Sequence, residues 1–313
     1  MRDASDVIRV LGVLVCGLVL AALAPDAWLV RASLIFIYAL AVLGQNLLMG
    51  YAGQLSFGQA GFLATGAYVF AHLRSMGAPF LLALALASSV AALAGVLVGL
   101  PSLRLRGAYL AVATLGFGMA VYHLLAGSDL LSGGRTGLAV PPLALPSGMS
   151  RTVGLYGIAL VLLVLATLGV RNIVSSYVGR AVVAVRDADL AAASLGVDLA
   201  RAKLTAFAVS SFLTGASGAL LAQFLGHLEP QGFTMTESVT LVVAVVVGGL
   251  ASIPGSLLGA VFVVLVPTLG SGTSWFVPVT YGLGLLLVLS FQPEGLAGLL
   301  RGLRNVLRDG SSR

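Results

Sequence analysis

Two sets of polar residues stand out in an otherwise apolar chain, and each has a spacing that could do work. The first lies in segment 186–203, where Arg186, Asp187, Asp189, Asp198, Arg201 and Lys203 surround Ala192, Leu195 and Gly196. The segment is too polar to span a bilayer and too alanine-rich for a random loop, so a helix on a membrane face is expected. Asp187 or Asp189 can cap a short helix, and Gly196 suits the left-handed turn that stops it. Asp198 can then cap a second helix that continues through Arg201 and Lys203 into the next apolar stretch. Helix, glycine and helix make a stiff elbow that can carry a push from a soluble partner into the bundle, and the three alanines at 191–193 offer a small flat surface to a cleft. The plainer alternative is a charged connector that only fixes topology.

The second set is Gln45, Asn46, Gln54, Ser56, Gln59 and Thr114, all inside apolar surroundings. Amides and hydroxyls at membrane depth offer hydrogen bonds without fixed charge, which suits a path for a neutral or zwitterionic solute that must not be held tightly. Buried amides also act as glue between helices, so this set can equally be structural.

Several chemistries are excluded by what is missing. A phosphate-binding P-loop needs Gly-Lys-Ser/Thr, and the chain's one lysine, Lys203, precedes Leu204. Neither a His-Glu-x-x-His metal pair nor a Gly-x-Ser-x-Gly nucleophile turn occurs, so no catalytic residue, metal site or cofactor is expected. His72, His123 and His227 are dispersed near segment ends and in a loop, where they read as interfacial residues. Cys16 stands alone, without a disulfide or zinc framework. All 11 acidic residues are expected outside or at the edges of the apolar stretches, which leaves proton coupling without an ionisable group at depth. Sodium coupling through backbone carbonyls would leave no such trace and stays open.

The elements that must position these residues are membrane helices. Of 313 residues 59% are hydrophobic and 9% charged, and the mean hydropathy of +1.06 excludes an ordinary soluble domain. The net charge of +6 does not indicate nucleic acid, because the basic residues sit at segment ends, beside lipid headgroups. The expected fold is all-α, one polytopic transmembrane bundle over 1–313 with about ten passes. The passes fall near 7–24, 29–49, 55–73, 79–100, 107–126, 155–173, 204–225, 238–250, 255–270 and 276–291. The third is diluted by Gln54, Ser56 and Gln59, and the eighth and ninth are short, as in broken helices lining a path at membrane depth. Arg2 and Arg9 ahead of an apolar run, with Ala22-Leu23-Ala24 after it, also fit a cleaved signal, but a retained first span is expected.

With both termini cytoplasmic, thirteen of the 17 basic residues fall inside and only Arg31, Arg74, Arg135 and Arg151 outside. Parity then requires two short passes, not one, between 238 and 270. Loop 127–154 is outside and 174–203 is the cytoplasmic coupling loop. Close helix contact is expected at the GxxxG of Gly255 and Gly259 and at Ser211, Thr214, Gly215 and Gly218.

Five motifs, in order over residues 30 to 300, resemble those of LivM-type permeases, the membrane subunits of branched-chain amino acid ABC importers. They are Tyr51-Ala52-Gly53-Gln54-Leu55-Ser56-Phe57-Gly58-Gln59-Ala60, Leu105-Arg106-Gly107-Ala108-Tyr109-Leu110, Gly133-Gly134-Arg135-Thr136-Gly137-Leu138, Gly248-Gly249-Leu250-Ala251-Ser252-Ile253-Pro254-Gly255 and Pro293-Glu294-Gly295-Leu296. Arg186-Asp187 through Gly196-Val197 is similar to the family's coupling loop, with Ala193 where many members are acidic. The resemblance implies a bacterial inner-membrane complex of this chain, a second related permease, two ATP-binding subunits and an extracytoplasmic solute-binding protein. Leucine, isoleucine and valine are the implied cargo, and 127–154 a docking surface for the binding protein. The rival class is an ATP-independent channel or sodium-coupled carrier for a small neutral solute such as urea or a short amide.

Overall fold

The computed structural model describes residue 17 and residues 25–298, apart from 106, 135–136, 144–147, 149, 270–275 and 292–294. The expected first span at 7–24 apart from Gly17, together with Arg106, Arg135, Thr136, Pro293, Glu294 and the basic C-terminal residues, falls outside that description. Elsewhere every apolar stretch is helical. Helix α1 is Asp26–Asn46, continued by a π-helical turn Leu47–Tyr51. It is followed by α2 Gln59–Ser75, α3 Phe80–Ser102, α4 Ala108–Gly127, α5 Asp129–Ser132 and α6 Arg151–Ser175. Two short helices, α7 Tyr177–Asp187 and α8 Asp189–Ser194, lead to α9 Leu199–Leu225, and α10 Met235–Gly248, α11 Ile253–Leu269 and α12 Phe276–Phe291 complete the series. A two-residue ladder pairs β1 Leu138–Ala139 antiparallel with β2 His227–Leu228.

Nine expected passes, from 29–49 to 276–291, thus coincide with helices, and 238–250 and 255–270 are two helices, not one. Five, over 26–51, 80–102, 108–127, 151–175 and 199–225, are long and apolar enough to cross a membrane, which makes this a multi-pass helical bundle. At 1.5 Å per residue the 14 residues of α10 extend about 21 Å, short of a hydrocarbon core of about 30 Å.

Helix α9 is the axis of the bundle and packs on α1, α2 and α3. Lipid tails are as apolar as leucine, so these helices associate through close contact of small residues, not through a hydrophobic drive. A Cβ on Gly66 would strike the backbone of Gly215, one on Gly218 the carbonyl of Leu63, and one on Gly95 the side chain of Ser211. The α10–α11 hairpin uses the same device, Gly255 lying on the backbone of Gly248 and Gly259 on that of Ala244. The small-residue spacings in both sequences therefore mark real contacts.

Connections sort to opposite ends. At one end Arg186 meets Gly50 and Gly53, Asn46 meets residues 249–252, and Gly295 lies on Gly249. At the other, His72 Nε2 lies 2.8 Å from the Leu131 carbonyl, Arg74 donates to that of Pro142 at 3.2 Å, and Arg151 to that of Gln223 at 2.9 Å. Residues 140–142 are tied down at this second end, since Gln223 donates to the Pro141 carbonyl and Val140 N–H to that of Gly226.

Candidate functional site

The weak hydropathy around residue 55 has a structural cause. After the π-helical turn the chain runs irregularly through 52–58, and α2 opens not at the bundle's surface but beside Ser210 and Thr214, midway along α9. Irregular backbone at such depth needs partners from the protein. Gln45 Nε2 donates to the Ser56 carbonyl at 2.9 Å, Thr114 Oγ1 accepts from Phe57 N–H at 3.0 Å, and Ser56 Oγ accepts from Gly58 N–H at 3.3 Å. Ser238 Oγ takes the Ala60 N–H at 2.9 Å, a free donor of α2's first turn. Gln59 joins the helices directly, its Nε2 donating to Ser210 Oγ at 3.0 Å and its Oε1 accepting from Thr214 Oγ1 at 2.7 Å.

Most of the six amides and hydroxyls therefore serve the fold. Gln54 differs. It is 5% exposed, and neither its Nε2 nor its Oε1 has a partner among the described residues; Gln45 Oε1 is unpaired in the same way. A buried amide with both ends unmet costs free energy unless something else comes to it.

Asn46 organises a second irregular stretch. Its Nδ2 lies 3.3 Å from the Gly249 carbonyl, 2.9 Å from that of Ser252 and 2.9 Å from Ser256 Oγ, while its Oδ1 accepts from Ala251 N–H at 2.9 Å. One side chain thus satisfies the orphan backbone groups where α10 ends and α11 begins. Ala251 has φ +52°, the one non-glycine residue with positive φ among those described. Such a conformation costs an alanine about 1 kcal/mol and persists only where neighbours hold it.

Segment 186–203 folds largely as its residues suggest. Asp198 caps α9, accepting from Arg201 N–H at 3.0 Å and pairing with the Arg201 guanidinium at 3.0 Å. Gly196 has φ +82°, and Val197 N–H closes on the Ala192 carbonyl at 3.0 Å, the left-handed stop expected there. Neither aspartate caps α8, because Ala188 holds that position and Asp189 lies in the first turn. Ala192 does not present a flat outer face; it is buried with Val182, Val185, Ala202 and Ala206. The outward surface belongs to Leu190 and Leu195, 76% and 85% exposed. Lys203 is half-buried. Arg186 turns inward, its Nη1 donating to the Gly50 carbonyl at 2.9 Å while its Nε pairs with Asp187 at 2.8 Å.

Glu237 lies in the first turn of α10, at the edge of its apolar stretch as expected, and its Oε1 is buried without a partner among the described residues. Among the described residues no group of three or more His, Cys, Asp or Glu could hold a metal.

The profile of the family described as "Branched-chain amino acid transport system / permease component" matches residues 29–291. The chain belongs to this family. The high-affinity branched-chain amino acid transport system permease LivM of Salmonella typhimurium is 34% identical over 86% of this chain and 70% of its own length. Permease BraD of Pseudomonas aeruginosa is 26% identical over 83% of this chain and 91% of its own. Permease LivH of Escherichia coli is similar over a shorter stretch, 32% identical across 39% of this chain and 40% of its own. No solved structure matches. Members of the family are transport permeases, not enzymes, and the helical bundle described above agrees with a multi-pass membrane location.

Proposed function

We propose that this branched-chain amino acid permease is the membrane half of an ATP-driven importer, passing leucine, isoleucine, valine or a similar neutral amino acid through a bundle with both termini cytoplasmic and ten passes. A second related permease completes the path, two ATP-binding subunits supply energy, and an extracytoplasmic binding protein delivers cargo at the end of the bundle formed by 127–154. The setting is the bacterial inner membrane.

The observation that carries this reading is the elbow at 186–203. Exposed Leu190 on α8 and exposed Leu195 at its C-cap lead, through the Gly196 stop and the Asp198 cap, straight into the central helix α9. Two exposed leucines on a polar segment form a small apolar knob suited to a soluble subunit's cleft, and a capped, continuous helix behind it transmits displacement instead of absorbing it. Ala191 and Ala193 flank the knob on the exposed side. Gln54 supports the other half of the reading, since its unmet amide can pair with an ammonium or carboxylate group once the path opens.

Copurification of the chain with its ATP-binding subunits, followed by labelled leucine uptake into proteoliposomes with the binding protein, tests the proposal. Leu190→Asp and Leu195→Asp are expected to abolish ATPase association while leaving the exposed site folded. Uptake without ATP would instead establish a channel or an ion-coupled carrier, for which Glu237 would be the first residue to study.

A further inference from the structure

We propose that Arg186 and Asn46 form an internal linkage that ties the coupling segment to the α10–α11 elbow through the last turns of α1. Its consequence for transport rests on the importer reading above; the linkage itself rests on contacts within this chain.

The argument begins with helix ends. The π-helical turn at Leu47–Tyr51 closes with Ala52 N–H on the Leu47 carbonyl at 3.1 Å and Gln54 N–H on that of Leu48 at 2.9 Å, after which the chain leaves the helix. The Gly50 carbonyl then has no following N–H to accept from and belongs to the negative end of the helix. Arg186, from α7, supplies the missing donor at 2.9 Å, and its stem lies along Gly53, where a Cβ would strike the Arg186 Cγ. A cation on a helix C-terminus is favourable, and here it comes from the segment that faces the soluble partner.

One turn earlier on the same helix, Asn46 makes the opposite attachment. Its amide holds the Gly249 and Ser252 carbonyls and the Ala251 N–H, including the one left-handed alanine. Gly50 sits between the two attachments: a Cβ there would meet both the Asn46 side chain and the Ala251 backbone. Arg186, Gly50, Asn46 and Ala251 are therefore in contiguous contact, and π-helical turns of this kind are frequent at functional positions. A shift of α7 pulls on the end of α1, and the end of α1 carries the elbow. Arg186 and Asn46 are thus positioning residues; neither needs to touch cargo or ATPase.

The test uses the whole complex in proteoliposomes, with labelled leucine uptake and ATP hydrolysis measured on the same vesicles. Arg186→Met keeps the stem over Gly53 and removes the donor; Asn46→Ala removes the elbow's anchor. Each is expected to lower leucine imported per ATP hydrolysed at least about five-fold, with hydrolysis and subunit association close to wild type. The double variant is expected to be no worse than the weaker single, because the two act in series, and Arg186→Lys to recover part of the loss. Spin labels at Tyr177→Cys and Leu250→Cys, both exposed positions, add a readout for a variant that must fold: in Arg186→Met the distance distribution between them should broaden. Losses that multiply, an unchanged ratio and distribution, or an Arg186→Met chain that no longer binds its ATPase would each overturn the linkage. Failure of the unmodified complex to import leucine would strike the importer reading instead, and the spin-label comparison would still decide the linkage.

Discussion

Gln59 separates a structural amide from a cargo-binding one, and its replacement by methionine is the informative perturbation. The side chain is fully buried and makes two bonds between helices, to Ser210 at 3.0 Å and from Thr214 at 2.7 Å. Methionine keeps its length and most of its volume, so little cavity is created. Thr214 is not orphaned, because its hydroxyl also lies 3.0 Å from the Ser210 carbonyl. The loss is then two interhelical bonds in a membrane protein, each averaging about 0.6 kcal/mol, or about 1.2 kcal/mol together and roughly an eight-fold shift in the folding equilibrium. Unfolding of the purified permease in bicelles reads that shift, and leucine uptake reads KM. The expected result is lower stability with KM unchanged. A raised KM in a variant as stable as wild type would mean that Gln59 meets cargo, and the assignment of the amides to the fold would fail.

Three further outcomes follow from the same contacts. Gly218→Val, pressed against the Leu63 carbonyl, should cost about 1–3 kcal/mol or more and reduce folded yield, whereas Gly116→Val, with open space around it, should be neutral; size-exclusion recovery distinguishes them. Ala251→Gly should be neutral to mildly stabilising, since about 1 kcal/mol of left-handed strain is relieved and part of it is returned to the unfolded chain's entropy, while Ala251→Val should lower the melting temperature. Glu237→Gln keeps the size of the side chain without a carboxyl proton to exchange, so an importer driven by ATP should retain uptake; abolished uptake by a stable variant would point to ion coupling.

Sequence spoke clearly where a physical property is local. Hydropathy located nine helices because each apolar stretch reports its own length, and Gly196 and Asp198 announced a stop and a cap because backbone conformation and capping depend on the residue in place. The doubtful third pass was a true signal, since the polar residues that weakened it hold up an irregular backbone at depth. Partners 100 or more residues apart were not legible. Nothing near Asn46 in sequence announces residues 249–256, and the inward turn of Arg186 depends on where α1 ends. Ala192 was misplaced for a related reason: an alanine run shows no preferred face until the neighbouring helices are known.

The bare backbone contacts of α9 with α2 restrict how any passage can widen. With Gly66 on Gly215 and Gly218 on Leu63, the two helices interlock like gear teeth and cannot slide past one another without collision. Helices α1, α2, α3 and α9 consequently travel as one slab. Room for a solute has to be made along the slab's borders, and α4, whose tyrosine at 109, valine at 112 and methionine at 119 all face outward, forms one such border.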